Sequence, residues 1–406
     1  MFHRSPTLFS RYCVFCLLAF LEIVSCKNNE ISPEIVATDK YLISANKLTT
    51  YTAKDAKTTI KQAKSFLNID INIDTLDLKY DSDVYKITYK TLDENKMPTV
   101  ASGCLIVPRS TDSLIMVSYQ HRTIKENEAP PSSFTPFGDV NFAATFSTAG
   151  YIFSCPDYLG YGASEKLDHP YEHRESLAQA ILDMTRASAE FLRKNNIKWK
   201  NKLMLTGYSE GGFATMSALK KIEENTNENE FNVLGASCGS GAYNKTAFLD
   251  KLVLEKTYSN PTYNFNYMWL MSTYNRIYKL NRKGADFFKT PYAAKFDSTG
   301  YNADFKVILN DAFSDAFKNA IRNKTDAPFF TALADNDVFN WKPKTEIKLF
   351  HGDTDQLVLY LNSQTAYENI KAKGGNITLT TLTGKDHSSG LQGFLKGTYA
   401  FFKSKK

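Results

Sequence analysis

The sequence predicts an α/β protein. Its central sheet is mostly parallel, with an antiparallel N-terminal hairpin, helices on both faces and an inserted helical cap. Three observations carry this. Two-residue alternation opens the core, in "VYKITYKT" (Val84 to Thr91) and "TVASGCLIV" (Thr99 to Val107), joined by the turn "LDENKMP". Short apolar runs then alternate with stretches of helical period, as parallel strands with crossover helices require. From about Tyr243 to Trp341 the alternation stops, and the chain becomes dense in aromatics, as in "YSNPTYNFNYMWLMSTYNRIY".

The N-terminus is expected to lie outside the fold. Arg4 and Arg11 precede an apolar run from about Tyr12 to Val24, which reads as a secretory signal over residues 1–25. Its ending, "IVSC", resembles a bacterial lipobox, which implies Cys26 as the lipidated first residue of a chain anchored in the cell envelope; Glu22 departs from that pattern, and a plain signal peptide cut nearby is the alternative. Residues 26–80 read as a tether, polar from about Lys27 to Ala53, followed by a helix over Lys54 to Leu67.

The core then occupies 81–242 and 342–406. After the hairpin, "SLIMVSY" (Ser113 to Tyr119) and "YIFSC" (Tyr151 to Cys155) are strands. Leu177, Ile181, Met184, Ser188 and Phe191 recur at spacings of four and three, so Glu172 to Lys194 is an amphipathic helix. "KLMLTG" is a strand, and "EGGFATMSALKKI" a helix with Phe213, Met216, Leu219 and Ile222 on one side. "FNVLGAS", "EIKLFHG" and "NITLTTLT" are strands, and the last helix carries Leu391, Phe394, Leu395 and Tyr399. The insert, 243–341, reads as a cap expected to shape a pocket over the core.

Composition narrows the function classes. The net charge of +6 comes without a Lys/Arg block, so no nucleic-acid partner is expected. Nothing after the signal is long and apolar enough to span a bilayer. Cys104, Cys155 and Cys238 read as buried small hydrophobes and not as a disulfide framework.

The chemistry centres on "LTGYSEGGFATM", Leu205 to Met216. A nucleophilic serine sits on a sharp strand-to-helix turn whose positions two before and two after are nearly bare, and Gly207 and Gly211 flank Ser209 in this way. The N–H of Glu210, opening the helix, is one oxyanion donor. A second match, "GASCG" (Gly235 to Gly239), also follows a strand, but "CGSGAYN" after Ser237 cannot open a stable helix. Ser209 is therefore the nucleophile. In chain order an acid and then a histidine should follow it. His387 in "TGKDHSSG" lies in a loop after the last strand, where such sheets place their sites, and is the base. His351, against a strand, reads as structural. "LFHGDTDQLV" offers Asp353 and Asp355 as the acid, and the loop "YQHRTI" offers the N–H of His121 or Arg122 as second oxyanion donor. Asp386 adjoins the base but should point elsewhere.

With "SYQHRT", "PDYLGYG", "GYSEGG", "FNWKP", "HGDTDQLV" and "DHSSG" in that order, the chain resembles the α/β-hydrolases and, more narrowly, the secretory lipase family, from about Val84 to the C-terminus. The resemblance implies carboxylic esters as substrates, no cofactor or metal, and a lid where 243–341 lies. It selects Asp355 to complete a triad with Ser209 and His387, and His121 as the loop donor beside Glu210. Arg122 stands where relatives commonly carry glycine, which suggests a meeting with an acidic group on the substrate.

Three other readings compete. A serine peptidase of the prolyl-oligopeptidase type shares fold and triad order, but no propeller repeats precede the domain. "HPYEH" (His169 to His173) matches the metallopeptidase pattern H-x-x-E-H, but Pro170 argues against the continuous helix that motif needs. An inactive ligand-binding lipoprotein is the third.

Overall fold

The computed structural model describes residues 39–67, 76–125, 129–135, 138–224, 230–256 and 260–406. The signal segment and Cys26 lie outside the described residues. Nine strands form one sheet: β1 (Leu42–Tyr51), β2 (Ser82–Leu92), β3 (Pro98–Pro108), β4 (Leu114–Gln120), β5 (Tyr151–Pro156), β6 (Trp199–Tyr208), β7 (Asn232–Gly239), β8 (Ile347–Gly352) and β9 (Ile377–Leu382). Their order is β1-β2-β3-β5-β4-β6-β7-β8-β9. The first three pairings are antiparallel, and every pairing from β5–β4 to β8–β9 is parallel.

Strand β1 corrects the tether expectation: residues 42–51 pair along β2. As an edge strand it buries only its ends, Leu42 and Tyr51, and its polar middle follows from exposure on that edge.

Alternation along β4 separates two apolar layers. Leu114 and Met116 pack with helices α3 (Arg174–Lys194) and α4 (Glu210–Glu224), while Ile115, Val117 and Tyr119 pack with α2 (Val140–Ser147) and the C-terminal α13 (Gly390–Ser404). Helix α1 (Ala53–Leu67) contacts α2, and α12 (Leu361–Ala372) lies against β8 and β9. In α3 the five residues predicted for the inner face are all buried. Cys104 and Cys155 face each other across β3 and β5 as free, buried thiols; burial pushes both well above the ordinary thiol range.

Among the described residues, 243–341 hold seven α-helices: α5 (Lys245–Leu254), α6 (Asn264–Ile277), α7 (Gly284–Phe287), α8 (Tyr292–Thr299), α9 (Leu309–Ala312), α10 (Asp315–Arg322) and α11 (Ala327–Asp335). They build a core of their own in which Phe287, Phe288, Phe313, Phe317 and Phe329 meet ring against ring. A buried ion pair joins the start of this insert to the segment before α3: Lys245 Nζ lies 2.7 Å from Glu172. Burial alone would lower Lys245 and raise Glu172, and each group's charge offsets part of the other's penalty.

Candidate active site

Ser209 stands between the end of β6 and the start of α4 with φ of 59°, left-handed for a residue with a side chain. The turn is this tight because its neighbours are bare. A Cβ on Gly207 would strike the Gly211 carbonyl, one on Gly211 the Gln120 carbonyl at the end of β4, and one on Gly212 the Gly239 carbonyl. Gly207 and Gly211 thus let β4, β6 and α4 approach closely enough to project the serine.

The structure brings Ser209, His387 and Asp355 together. His387 Nε2 lies 2.9 Å from Ser209 Oγ, and His387 Nδ1 lies 2.7 Å from Asp355 Oδ2. A carboxylate can only accept, so Nδ1 carries the proton and Nε2 faces the serine hydroxyl as acceptor. Asp355 is 4% exposed. Burial would raise its carboxyl, but hydrogen bonds from His351 and His387 outweigh burial and hold it well below the usual carboxylate range. Its Oδ1 accepts the backbone N–H groups of Leu357 and Val358, both at 2.9 Å.

The other aspartates and histidines have separate partners. Asp353 accepts the Gly384 N–H at 2.7 Å and so ties the β8 loop to the turn after β9. Asp386 accepts the N–H and hydroxyl of Ser389, in the turn that leads into α13. His351 is fully buried, bonded to Ser363 Oγ and the Val358 carbonyl, with Nε2 3.3 Å from Asp355. It is structural, and it also braces the acid. Ser237 lies inside β7 and not at a turn; its hydroxyl pairs with Thr398 at 2.6 Å.

The "HPYEH" side chains diverge. His169 bonds Glu210, Glu172 (φ 50°) pairs with Lys245, and His173 flanks α3 with Nδ1 on Ser176 Oγ. Without a helix across the motif the two imidazoles share no face.

Of the two loop donors, the Arg122 N–H is engaged, directed at Asp139 Oδ2 at 3.3 Å, while the Arg122 guanidinium lies 3.7 Å from Asp139 Oδ1. Arg122 thus lies beside an acid of its own chain, Asp139, and both line the cleft at Ser209. The His121 ring is anchored under the loop, 3.1 Å from the Asp157 carbonyl and packed on Tyr158.

A cleft of about 490 Å³ opens at Ser209 and His387. Its apolar wall is Tyr119 and Phe142 on one side and Leu391, Phe394 and Leu395 on the other. Asn266 of α6 is the insert's contribution among the described residues. Among the described residues no aromatic ring of the insert lines this cleft; Phe287, Phe288, Phe313, Phe317 and Phe329 pack in the insert's own core, and Trp269 stacks against Tyr171.

Two features had no sequence signal. The Tyr208 hydroxyl donates to the His387 carbonyl at 2.7 Å. Glu210, expected to matter through its N–H and its place in a first helical turn, buries its carboxyl against His169 at 2.7 Å. Both contacts link residues remote in sequence, which local pattern cannot show.

This sheet order, with a serine elbow after β6 and helices on both faces, defines an α/β-hydrolase fold. The chain belongs to the secretory lipase family, whose model matches residues 138–392. Ser209, Asp355 and His387 fall inside that match and His121 outside it. Lipase 9 of Candida albicans is 27% identical over 304 residues, which is 67% of this chain and 62% of that protein. The match therefore spans less than two thirds of that relative's length. Among solved structures, a putative hydrolase from Legionella pneumophila superposes with a TM-score of 0.77 at 24% identity, covering 90% of this chain and 98% of that one. The rice cell wall degrading esterase LipA from Xanthomonas oryzae gives 0.71 at 23%, covering 89% and 95%. Lipase A of Candida antarctica gives 0.59 at 17%, covering 85% and 77%.

Proposed function

We propose that the protein is a serine carboxylic-ester hydrolase that works through an acyl-enzyme on Ser209. The observation that carries this reading is the continuous relay Ser209–His387–Asp355, at 2.9 and 2.7 Å, on a strained strand-to-helix turn beside an apolar cleft. Membership of a lipase family and the names of its relatives support an ester as substrate.

In this mechanism Ser209 Oγ attacks the ester carbonyl carbon as His387 Nε2 takes the hydroxyl proton. The carbonyl π pair moves onto oxygen, where the N–H groups of Glu210 and His121 receive it. Asp355 keeps the imidazole in its tautomer and stabilises the imidazolium. The intermediate collapses, the alcohol leaves with the proton from His387, and Ser209 holds the acyl group. Water then repeats the sequence, with His387 as base, and releases the acid. The chemistry draws on these side chains and two backbone donors, with no step assigned to a metal or cofactor.

The family also supports export. We read 1–25 as the signal, Cys26 as the lipidated anchor and 243–341 as the cap. A panel of p-nitrophenyl esters, triglycerides, acetylated sugars and peptide anilides tests the substrate class: turnover of the esters with inert anilides is expected, and the reverse refutes the reading in favour of a peptidase.

A further inference from the structure

Glu210 follows the proposed nucleophile directly, and its carboxyl lies behind the elbow, 1% exposed. Its partner is His169, from the segment between β5 and α3. His169 Nε2 is 2.7 Å from Glu210 Oε1, and His169 Nδ1 is 2.8 Å from the Leu159 carbonyl oxygen. Aromatic rings surround the imidazole: Tyr158, Tyr161 and Tyr171 from its own segment, and Trp269 from the insert, with centroids 4.9 to 6.1 Å away.

The hydrogen-bond chemistry fixes the proton count. A carbonyl oxygen only accepts, so Nδ1 must carry a proton toward Leu159. If Nε2 were then bare, its lone pair would face a carboxylate oxygen with no proton between them, a repulsive contact at 2.7 Å between two buried groups. One proton therefore lies between Nε2 and Oε1. Whichever atom holds it, the pair is neutral as a whole. A neutral pair is what a neighbouring oxyanion tolerates, since an unpaired carboxylate one residue from the nucleophile would oppose the negative charge that develops there. Glu172 and Lys245, both within electrostatic reach of Glu210, pair with each other.

We propose that Glu210 and His169 are positioning residues for the oxyanion site. They form a proton-bridged, neutral pair that clamps the Glu210 peptide so that its N–H points at the reacting carbonyl oxygen, and that anchors the first turn of α4 to the loop carrying Leu159. Neither side chain touches substrate. The kinetic part of the proposal rests on the ester-hydrolase reading; the bridging proton does not.

The test uses the whole exported chain and four variants: Glu210→Gln, Glu210→Met, His169→Phe and the double variant Glu210→Met/His169→Phe. Losing one aimed oxyanion donor costs on the order of 10²–10³ in kcat, so a misaimed one should cost roughly tenfold or more. Glu210→Met is expected to lose that in kcat with KM little changed. Glu210→Gln should recover most of it, because its amide N–H donates to Nε2 and keeps the clamp without the extra proton. The double variant removes both side-chain polar groups but leaves the Leu159 carbonyl without its donor, so it should melt above His169→Phe, which strands the Glu210 carboxyl as well, and below wild type while staying slow. A strongly downfield resonance assigned by nitrogen labelling to the proton between His169 Nε2 and Glu210, apart from those of the His387 Nδ1 proton on Asp355 and the His169 Nδ1 proton on Leu159, should appear in wild type and vanish in all four variants. Wild-type kcat in the double variant, or a Glu210→Gln no faster than Glu210→Met, overturns the clamp. Absence of the resonance from wild type, or its survival in Glu210→Met, overturns the bridge. Because the resonance is read on the free protein, its failure stays separate from failure of Ser209 to act on esters.

Discussion

The hydroxyl of Tyr208 donates to the carbonyl of His387 at 2.7 Å, so the last residue of the strand that delivers the serine also fixes the loop that delivers the base. Ser240 Oγ donates in turn to the Tyr208 oxygen at 3.1 Å, and burial raises the phenol above its ordinary range, so it remains a donor. Tyr208→Phe removes both bonds without emptying the space. It should lower kcat by roughly tenfold through a looser Ser209–His387 distance and cost about 1 kcal/mol of stability. Steady-state kinetics beside a melting curve check this; unchanged kcat with a lowered Tm would make Tyr208 purely structural.

The two aspartates after β8 should separate cleanly. Asp355→Asn should leave substrate binding nearly intact and lose on the order of 10³–10⁴ in kcat, by releasing the imidazole tautomer. Asp353→Ala removes the acceptor for the Gly384 N–H and should cost about 1 kcal/mol with activity largely kept. An inactive Asp353→Ala beside an active Asp355→Asn would reverse the assignment.

Asp355 also sets a pH signature. Its folded carboxyl is held below its unfolded value of roughly 3.9, so its contribution to stability is fully present above that pH and is lost as pH falls toward the folded value. The Tm gap between wild type and Asp355→Asn should be largest near neutrality and shrink below about pH 4. A gap that widens on acidification would mean the carboxyl is not the depressed group described here.

Acyl-length preference should respond to α2 more than to the insert. Phe142 lines the Ser209 cleft and also a small apolar void behind it, bounded by Phe146, Tyr151, Phe153 and Phe402. Phe142→Ala should join the two spaces and move the optimum toward longer acyl chains. An ester-length series reads this directly, and an unchanged profile refutes it.

Much of this fold was legible because its core elements bury whole faces. The four-and-three spacing from Leu177 to Phe191 and the alternation in β2 and β3 record that burial in the sequence. The edge strand β1 was not legible, since it buries little beyond Leu42 and Tyr51 and so carries no alternation. The elbow was readable because Gly207 and Gly211 answer a local steric demand. The aspartates were not separable by spacing. Asp355 both caps its own turn with Oδ1 and faces His387 with Oδ2, a double role that spacing does not record. The Glu210–His169 contact joins positions 41 residues apart and leaves no local trace.

The central claim is that Ser209 carries the acyl group. Wild-type protein treated with a fluorophosphonate probe, digested and mapped by mass spectrometry should carry the label on the peptide containing Ser209. Ser209→Ala should take no label and hydrolyse no ester, while Ser237→Ala, altered only inside β7, should label and turn over like wild type. A label on Ser237, or ester hydrolysis that survives Ser209→Ala, would contradict the account.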